Sequence, residues 1–268
     1  MSRFASRLRK QALRFGRRAK SLALYIFLPV LLIAVWQGLY ETGAVQALLL
    51  PPPSAIAATG WDLSISGELA RHLGISLLRV LEGFALAALL GVVLGVGLGL
   101  SRPLDRATDL LIQLIKPIPP IAWIPLTILW FGIGEEGKVF IIFLGAFFPI
   151  LVNTMDGIRQ TDVKFVELAR VLETSRLRFI AKVVLPGALP SIMTGMRVGM
   201  MVAWMCVVAA ELIAASSGVG FLIMDARQMM QTDRVFVGMI AIGAIGKLLD
   251  VVLKKIERRL IRWKGAFQ

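Results

Sequence analysis

The stretch that decides the fold is ELARVLETSRLRFIAKVVLPGALP, Glu167 to Pro190, a polar and basic segment between two long apolar runs. It begins with an acidic residue followed by leucine and alanine, continues as a basic amphipathic stretch, and ends in two prolines, Pro186 and Pro190. A chain that only had to remain in a lipid bilayer would not need such a segment. The sequence on either side must therefore explain why it is present.

Composition places the flanking sequence in a membrane. The chain is 57% apolar and 18% charged, with a mean hydropathy of +0.77, which is typical of an integral membrane protein. A spanning helix needs about 20 mostly apolar residues, and helices satisfy their own backbone hydrogen bonds in lipid. The alternating apolarity of a β-barrel strand is missing. The sequence therefore predicts an all-α polytopic protein with six transmembrane helices, at 22–40, 83–100, 109–131, 139–153, 191–215 and 235–252.

Basic residues give the orientation. Of 30 Lys and Arg residues, 8 precede the first apolar run, 2 separate the second and third, 6 separate the fourth and fifth, and 6 follow the last. This bias predicts that both termini and the Glu167 segment are cytoplasmic. These charges border apolar runs, so we expect them to mark topology and not a nucleic-acid surface. The outer side holds 5, which we assign to loops: Arg71, Arg79, Lys138, Arg227 and Arg234.

Cysteine and histidine counts exclude several chemistries. The chain has one Cys, Cys206, within the fifth apolar run, and one His, His72, which we place on the surface of an outer loop. No disulfide within the chain, His/Cys metal cluster or nucleophile pair can be built from them. A phosphate-binding G-x-x-x-x-G-K-[ST] loop is also missing from the sequence. We therefore expect a non-catalytic chain with no cofactor or metal of its own.

The third apolar run is interrupted by prolines. Proline removes a backbone donor and kinks or breaks a helix, and irregular backbone is tolerated at membrane depth where it lines a cavity. This run is therefore our candidate pathway; the alternative is a bent helix that only packs. Lys116, just before the prolines, either attracts an anion or extends to the inner phosphates. Glu211, near the outer end of the fifth run, either pairs with another subunit or orders an outer gate. The candidate pathway or gate residues are Lys116, Pro119, Pro120, Trp123 and Glu211.

Small residues in the second run predict a close helix contact. Gly91, Gly95 and Gly99 repeat at four-residue spacing, which lets another helix approach. Packing within the chain is favoured over a seam between two subunits.

Several motifs together resemble one family. The segment 167–190 is similar to the cytoplasmic EAA loop of permease subunits in binding-protein-dependent ABC importers. The runs KPIPPIAWIP (116–125), WFGIG (130–134), LPGALP (185–190) and AELIAASSGVG (210–220) look like the nitrate/sulfonate/taurine branch of those permeases. The resemblance covers the chain from about Ser76 to its end. It implies the type I importer permease (MetI-like) fold in a bacterial inner membrane, with several passes.

The resemblance also implies partners and a function. A second permease subunit (a homodimer is expected), two copies of an ABC ATPase that bind ATP and Mg, and a periplasmic solute-binding protein would complete the importer. The chain would form the pathway for a small anionic solute, with sulfonates or taurine as the first expectation and nitrate or another small oxyanion as the alternative. Substrate selectivity would rest largely with the binding protein.

The same resemblance assigns roles in the loop. We expect one helix over 165–172 and a second, capped by Thr174 and Ser175, that ends near Val184 because Pro186 stops it, with Leu177 and Val184 on one face. From the local pattern alone, an ordinary amphipathic helix on the membrane surface is equally compatible. The family loop has a glycine where this chain has Glu173, so Glu173 either keeps helical angles or is strained. Glu167, Ala169 and Arg170 would face the ATPase, and Ser175, Arg176 and Pro186 would brace them.

The organisation is one membrane domain. We divide it into a basic arm (1–21), a first span with an outer connection (22–82), a five-helix core (83–252) with the coupling loop at 161–186, and a basic tail (253–268). The arm either lies on anionic lipid or is a solvated tail. Two other classes compete. A stand-alone secondary transporter or channel would carry repeated halves and intramembrane ion ligands, and a membrane enzyme would need a catalytic constellation.

Overall fold

The structure, a computed structural model, describes residues 26–46, 48–161, 167, 171 and 173–261. In those ranges every regular element is a helix and no β-strand occurs. Besides the α-helices there are a 3₁₀ turn, Pro120–Trp123, and a π-helical turn, Ile180–Val184. The α-helices are α1 Ile26–Glu41, α2 Pro53–Ile65, α3 Glu68–Leu100, α4 Arg102–Ile115, α5 Ile124–Phe131, α6 Glu135–Arg159, α7 Arg176–Phe179, α8 Leu185–Ala214, α9 Val219–Gln228 and α10 Thr232–Leu260.

Four helical segments are long and apolar enough to cross a membrane, namely α3, α6, the continuous stretch Leu177–Ile213 and α10. A fifth span is formed if α4 and Pro120–Phe131 are counted together, although the two are bent by 85°. The described part of α1 is a shorter apolar helix. The all-helical fold and the break in the third run are confirmed. The count of six spans stays a prediction.

Helix α6 is central, with α3 and α8 packed along it. The repeated glycines of α3 face α6, which confirms the prediction of packing within the chain. A Cβ placed on Gly95 would lie 2.7 Å from Thr154 Cβ and 2.9 Å from the Leu151 carbonyl oxygen. Gly91 and Gly99 are similarly close to α6. Only residues without a side chain allow these two helices to approach so closely.

The core lies between these three helices and α10. Trp204 is buried and its Nε1–H donates to the Ile242 carbonyl oxygen at 3.0 Å, which joins α8 to α10. Cys206 is a buried free thiol, as predicted. The outward faces of α3 and α10 expose large apolar residues, among them Leu89 and Ile240. Lipid is the natural solvent for those faces.

Two predictions about the outer side are wrong. Helix α3 begins at Glu68, well before the expected start of the second span at residue 83, so Arg79 and His72 lie in a helix and not in a loop. Lys138 lies in the first turn of α6 and is buried. Charged residues lowered the apparent hydropathy of these helix ends, yet Arg79 and Lys138 are buried and both form ion pairs with Glu135.

The prediction that Pro186 ends a cytoplasmic helix is also wrong. Leu185 N–H donates to the Ile180 carbonyl oxygen, five residues back, and the chain then continues as α8. The wider π-helical turn accommodates Pro186, which lies in the first turn of α8, where a proline needs no hydrogen bond. The turn also changes the register of the side chains. Val184 is buried whereas Leu177 is 82% exposed, so the apolar face expected for this helix is not buried along its whole length.

Candidate functional site

The break in the third span is built by its prolines. Lys116 N–H makes the last hydrogen bond of α4, to the Ile112 carbonyl oxygen at 2.9 Å. The chain then turns, with extended backbone at Pro119, before Ala122 N–H donates to the Pro119 carbonyl oxygen at 2.9 Å. Prolines at 117, 119 and 120 cannot donate, so the α4 hydrogen-bond ladder cannot continue through them. The break therefore positions Lys116 and Trp123 at a bend between two helices.

A cavity of about 360 Å³ lies against this break. Three of the predicted pathway residues, Lys116, Pro120 and Trp123, line it together. Pro119 is adjacent in sequence but is not part of the lining, and Glu211 lies elsewhere. The remaining walls come from Ile118, from α6 (Leu144, Gly145, Phe148, Pro149, Val152 and Asn153) and from α8 (Val198 and Val202).

The cavity is apolar with one charge. Among the described residues that line it, Lys116 is the only ionisable one, and its side chain is exposed. Asn153 Nδ2 donates to the Pro149 carbonyl oxygen at 2.8 Å. Asn153 and Pro149 were missed in the sequence. The proline inside an apolar run followed one turn later by an amide was the signal that could have identified them.

A second polar feature is a buried ion network, defined here as His72, Ser76, Arg79, Glu211 and Ser217. Arg79 Nη1 lies 2.7 Å from Glu211 Oε1 and donates to the Ser217 carbonyl oxygen at 2.8 Å. Ser76 Oγ donates to the same carboxylate at 2.8 Å. His72 is 3% exposed and its Nδ1 accepts from Gly218 N–H at 3.1 Å, so the prediction of a surface histidine is wrong.

The network joins α3 to α8 and to the loop before α9. Glu211 Oε2 also accepts from Gly220 N–H at 2.9 Å, and Ser76 Oγ accepts from Val219 N–H at 2.9 Å. Arg79 reaches α6 as well, where Nη2 donates to Glu135 Oε1 at 2.7 Å. Of the two roles open for Glu211, the structure shows a partner within its own chain. The carboxylate orders the start of α9 from inside the protein.

The loop preceding α8 is described in part. Glu167 and Val171 are helical and exposed, whereas Ala169 and Arg170 lie outside the described residues. Glu173 has φ +49°, so of the two alternatives for this residue the backbone adopts the strained, glycine-like one. Ser175 precedes α7, and its carbonyl oxygen accepts from Phe179 N–H at 3.0 Å. Arg176 begins α7.

Comparison with known families decides the identity. Residues 87–262 match the family model of the binding-protein-dependent transport system inner membrane component. The chain belongs to this family. It is therefore a permease subunit of an ABC transporter in the inner membrane. Permease subunits of this family are non-catalytic.

Curated relatives agree along nearly the whole permease. It is 44% identical over 253 residues to a putative aliphatic sulfonates transport permease protein, SsuC, of Bacillus subtilis (strain 168), covering 94% of this chain and 92% of the relative. It is 45% identical over 241 residues to the SsuC protein of Escherichia coli (strain K12), covering 90% and 92%.

A solved structure supports the same fold. The permease matches an inward-facing structure of the MetNI methionine ABC transporter with a TM-score of 0.61 at 18% identity, covering 69% of this chain and 92% of that chain. The fold is thus that of a type I importer permease. Membership in a binding-protein-dependent system implies that an ATPase and a binding protein act with the permease.

Proposed function

We propose that the permease forms the membrane pathway of an ATP-driven importer for sulfonates, and that it works as a homodimer with two ATPase subunits. One observation carries the proposal: a broken span sets Lys116 against an otherwise uncharged cavity. An isolated positive charge favours an anion and disfavours a cation. The relatives named for aliphatic sulfonate transport support that class of anion.

The cytoplasmic loop is proposed to transmit the work of ATP hydrolysis. Two apolar side chains there are unusually exposed, Val171 at 79% and Leu177 at 82%. Outside lipid, exposed apolar groups favour contact with a partner protein. Because α7 continues through the π-helical turn into α8, a displacement at Leu177 is passed directly to a core helix. ATP and Mg would be bound by the partner ATPase, and this chain would bind neither.

The topology that this mechanism needs has six spans with both termini in the cytoplasm. Helix α10 supports it, because its last turn carries Arg258 and Arg259. Arg159, in the last turn of α6, forms an ion pair with Asp105 near the start of α4, so basic and acidic groups meet at the same membrane edge. This edge also carries the loop at 161–186. An arrangement with the loop outside would oppose the distribution of basic residues.

Nitrate or another small oxyanion is the alternative substrate, since Lys116 would attract any anion. A stand-alone secondary transporter or channel is the alternative of another class. It would not require an ATPase, and it would tolerate changes in the exposed loop.

The test is ATP hydrolysis by the complete importer in proteoliposomes, with the ATPase and the binding protein present. Butanesulfonate, taurine and nitrate would be compared. We expect sulfonate-dependent stimulation in the wild type, and its loss in Ala169→Asp and Leu177→Glu. Gln160→Glu is the matched control, because it adds a negative charge at an exposed position just outside the loop.

Two results would contradict this proposal. Hydrolysis that never responds to an anion would remove the importer function. Loop variants that respond like the wild type would remove the coupling role and favour a stand-alone transporter. Retained assembly with the ATPase and an unchanged elution volume would show that the variants are folded.

A further inference from the structure

The cavity at the broken span has a regular wall. On α6 its lining residues form two adjacent rows at four-residue spacing, Leu144, Phe148 and Val152 in one, and Gly145, Pro149 and Asn153 in the other. Ten residues of helix extend over about 15 Å. The cavity is therefore an elongated groove along α6, with the end of α4 and the 3₁₀ turn on one side and α8 on the other.

The groove has few polar groups. Lys116 offers three N–H donors and a full positive charge. Asn153 uses one amide N–H on the Pro149 carbonyl oxygen, and its second N–H has no partner among the described residues. An ammonium and an amide donor both suit the oxygens of an anion.

The rest of the groove is apolar. Trp123, Phe148, Val198 and Val202 offer hydrocarbon and aromatic surface. A bare inorganic oxyanion would lose water there and gain nothing from these walls. The volume is also within the range of sites for small organic molecules. A ligand that fits the whole groove carries a negative charge and an apolar body.

We infer that this groove is a recognition site for organosulfonates, with the sulfonate held by Lys116 and Asn153 and the hydrocarbon against Trp123, Phe148 and Val198. The inference rests on the proposed function and narrows it. The permease itself then contributes selectivity, favouring alkane- or arenesulfonates over nitrate or bicarbonate. Because each buried methylene strengthens binding about fourfold, affinity should rise with alkyl length until the groove is full.

The test measures ligand binding to the permease and its ATPase in nanodiscs, without the binding protein. Radiolabelled hexanesulfonate is displaced by methanesulfonate, butanesulfonate and nitrate, with and without a non-hydrolysable ATP analogue. Empty nanodiscs correct for partition into lipid. In the wild type we expect each added methylene to tighten binding about fourfold, and nitrate to be the weakest competitor.

Variants separate the charged end from the apolar end. Lys116→Met should weaken the binding of hexanesulfonate at least tenfold, whereas Lys116→Arg should keep most of the wild-type affinity. Asn153→Leu should lose affinity for every sulfonate. Val198 is half-exposed, and Val198→Trp would fill the apolar end of the groove. This variant should therefore lose affinity for hexanesulfonate and keep its affinity for methanesulfonate. Lys247→Met is the matched control, because Lys247 is an exposed lysine of α10 outside the groove.

The inference is overturned if Lys116→Met and Asn153→Leu bind hexanesulfonate like the wild type, or if affinity is indifferent to alkyl length. It is also overturned if nitrate competes as well as butanesulfonate. Hydrolysis in the complete importer distinguishes this failure from failure of the proposed function. Sulfonate-stimulated hydrolysis that persists in all the groove variants would leave the importer function standing without this site. A wild type that no sulfonate stimulates would remove the function itself.

Discussion

Arg79 and Glu211, 132 residues apart in sequence, form an ion pair with Nη1 and Oε1 2.7 Å apart and side chains only 4% and 0% exposed. The arginine extends from α3, and the glutamate lies near the end of α8. Burying two charges costs solvation free energy, and the hydrogen bonds that the pair makes to Ser76, Gly220 and Ser217 offset this cost. The pair joins α3 and the end of α8 to the start of α9.

Removing one partner of this pair should therefore destabilise the protein. Arg79→Met leaves the Glu211 carboxylate buried without its cation, and we expect a loss of about 3–5 kcal/mol. The double variant Arg79→Met with Glu211→Leu should recover part of that loss. Thermal unfolding in detergent, monitored by the loss of the monodisperse peak in size-exclusion chromatography, measures the stability of the single and the double variant.

Glu135 provides the comparison for the same arginine. Its side chain is 59% exposed, so Glu135→Gln should cost no more than about 1 kcal/mol. Equal losses for Glu135→Gln and Glu211→Gln would show that burial does not determine the strength of this network. A double variant no more stable than Arg79→Met would show that the orphaned carboxylate is not the cause.

Gly218 should tolerate no side chain. Its φ is +111°, and a Cβ there would overlap the Glu211 carboxylate. We expect Gly218→Ala to lower the unfolding temperature and to release the start of α9, because both the backbone and the carboxylate would have to move. Gly74→Ala is the control, because there is open space where a Cβ on Gly74 would lie. Protease accessibility of the loop before α9 would report the change, and equal accessibility in both variants would contradict it.

Much of the fold is predictable because its causes are local. Apolar runs mark membrane helices, and prolines at 117, 119 and 120 mark the broken span. The small residues of α3 predict the close approach of another helix of the chain, which the structure identifies as α6. Each signal depends on residues within a few turns of one another. The cavity residues Lys116, Pro120 and Trp123 belong to the same local signal, because they lie within one short stretch around the break.

The features that could not be predicted from the sequence depend on residues far apart in the chain or on small changes in the backbone. His72 and Arg79 look like surface residues because the groups that bury them, Gly218 and Glu211, lie far along the chain. The π-helical turn depends on one extra residue per turn, which leaves no compositional trace. That turn is why Pro186 does not end the helix.

Substitutions at Glu173 test the backbone strain in the loop before α7. A non-glycine residue at φ +49° costs about 1 kcal/mol, and glycine there removes this cost while adding freedom to the unfolded chain. We expect Glu173→Gly to leave stability unchanged or raised by up to about 1 kcal/mol, and Glu173→Ile to lower it by about 1–2 kcal/mol. Chemical denaturation measures both. A stable Glu173→Ile would show that the residue leaves this conformation at little cost.

Arg197 of α8 forms ion pairs with two carboxylates of α10. Its guanidinium lies 3.1 Å from Asp250 and 3.4 Å from Glu257, and the three side chains are at most 31% exposed. Arg197→Glu should repel both carboxylates, and Asp250→Arg in the same chain should restore part of the lost stability. A coupling energy of about 1 kcal/mol is expected in a double-mutant cycle. A coupling energy near zero would show that the pair contributes geometry without stability.

The close approach of α3 and α6 gives the sharpest matched comparison. In Gly95→Ala the new methyl would meet Thr154 and the Leu151 carbonyl oxygen, so the two helices must separate along their length. We expect the free energy of unfolding to fall by about 1–3 kcal/mol. Gly97, two residues away on the same helix, has open space where a Cβ would lie, and Gly97→Ala should be neutral or stabilising by up to about 1 kcal/mol. Thermal unfolding of both variants in lipid nanodiscs measures the difference. If Gly95→Ala and Gly97→Ala unfold at the same temperature, the interface is looser than these distances indicate.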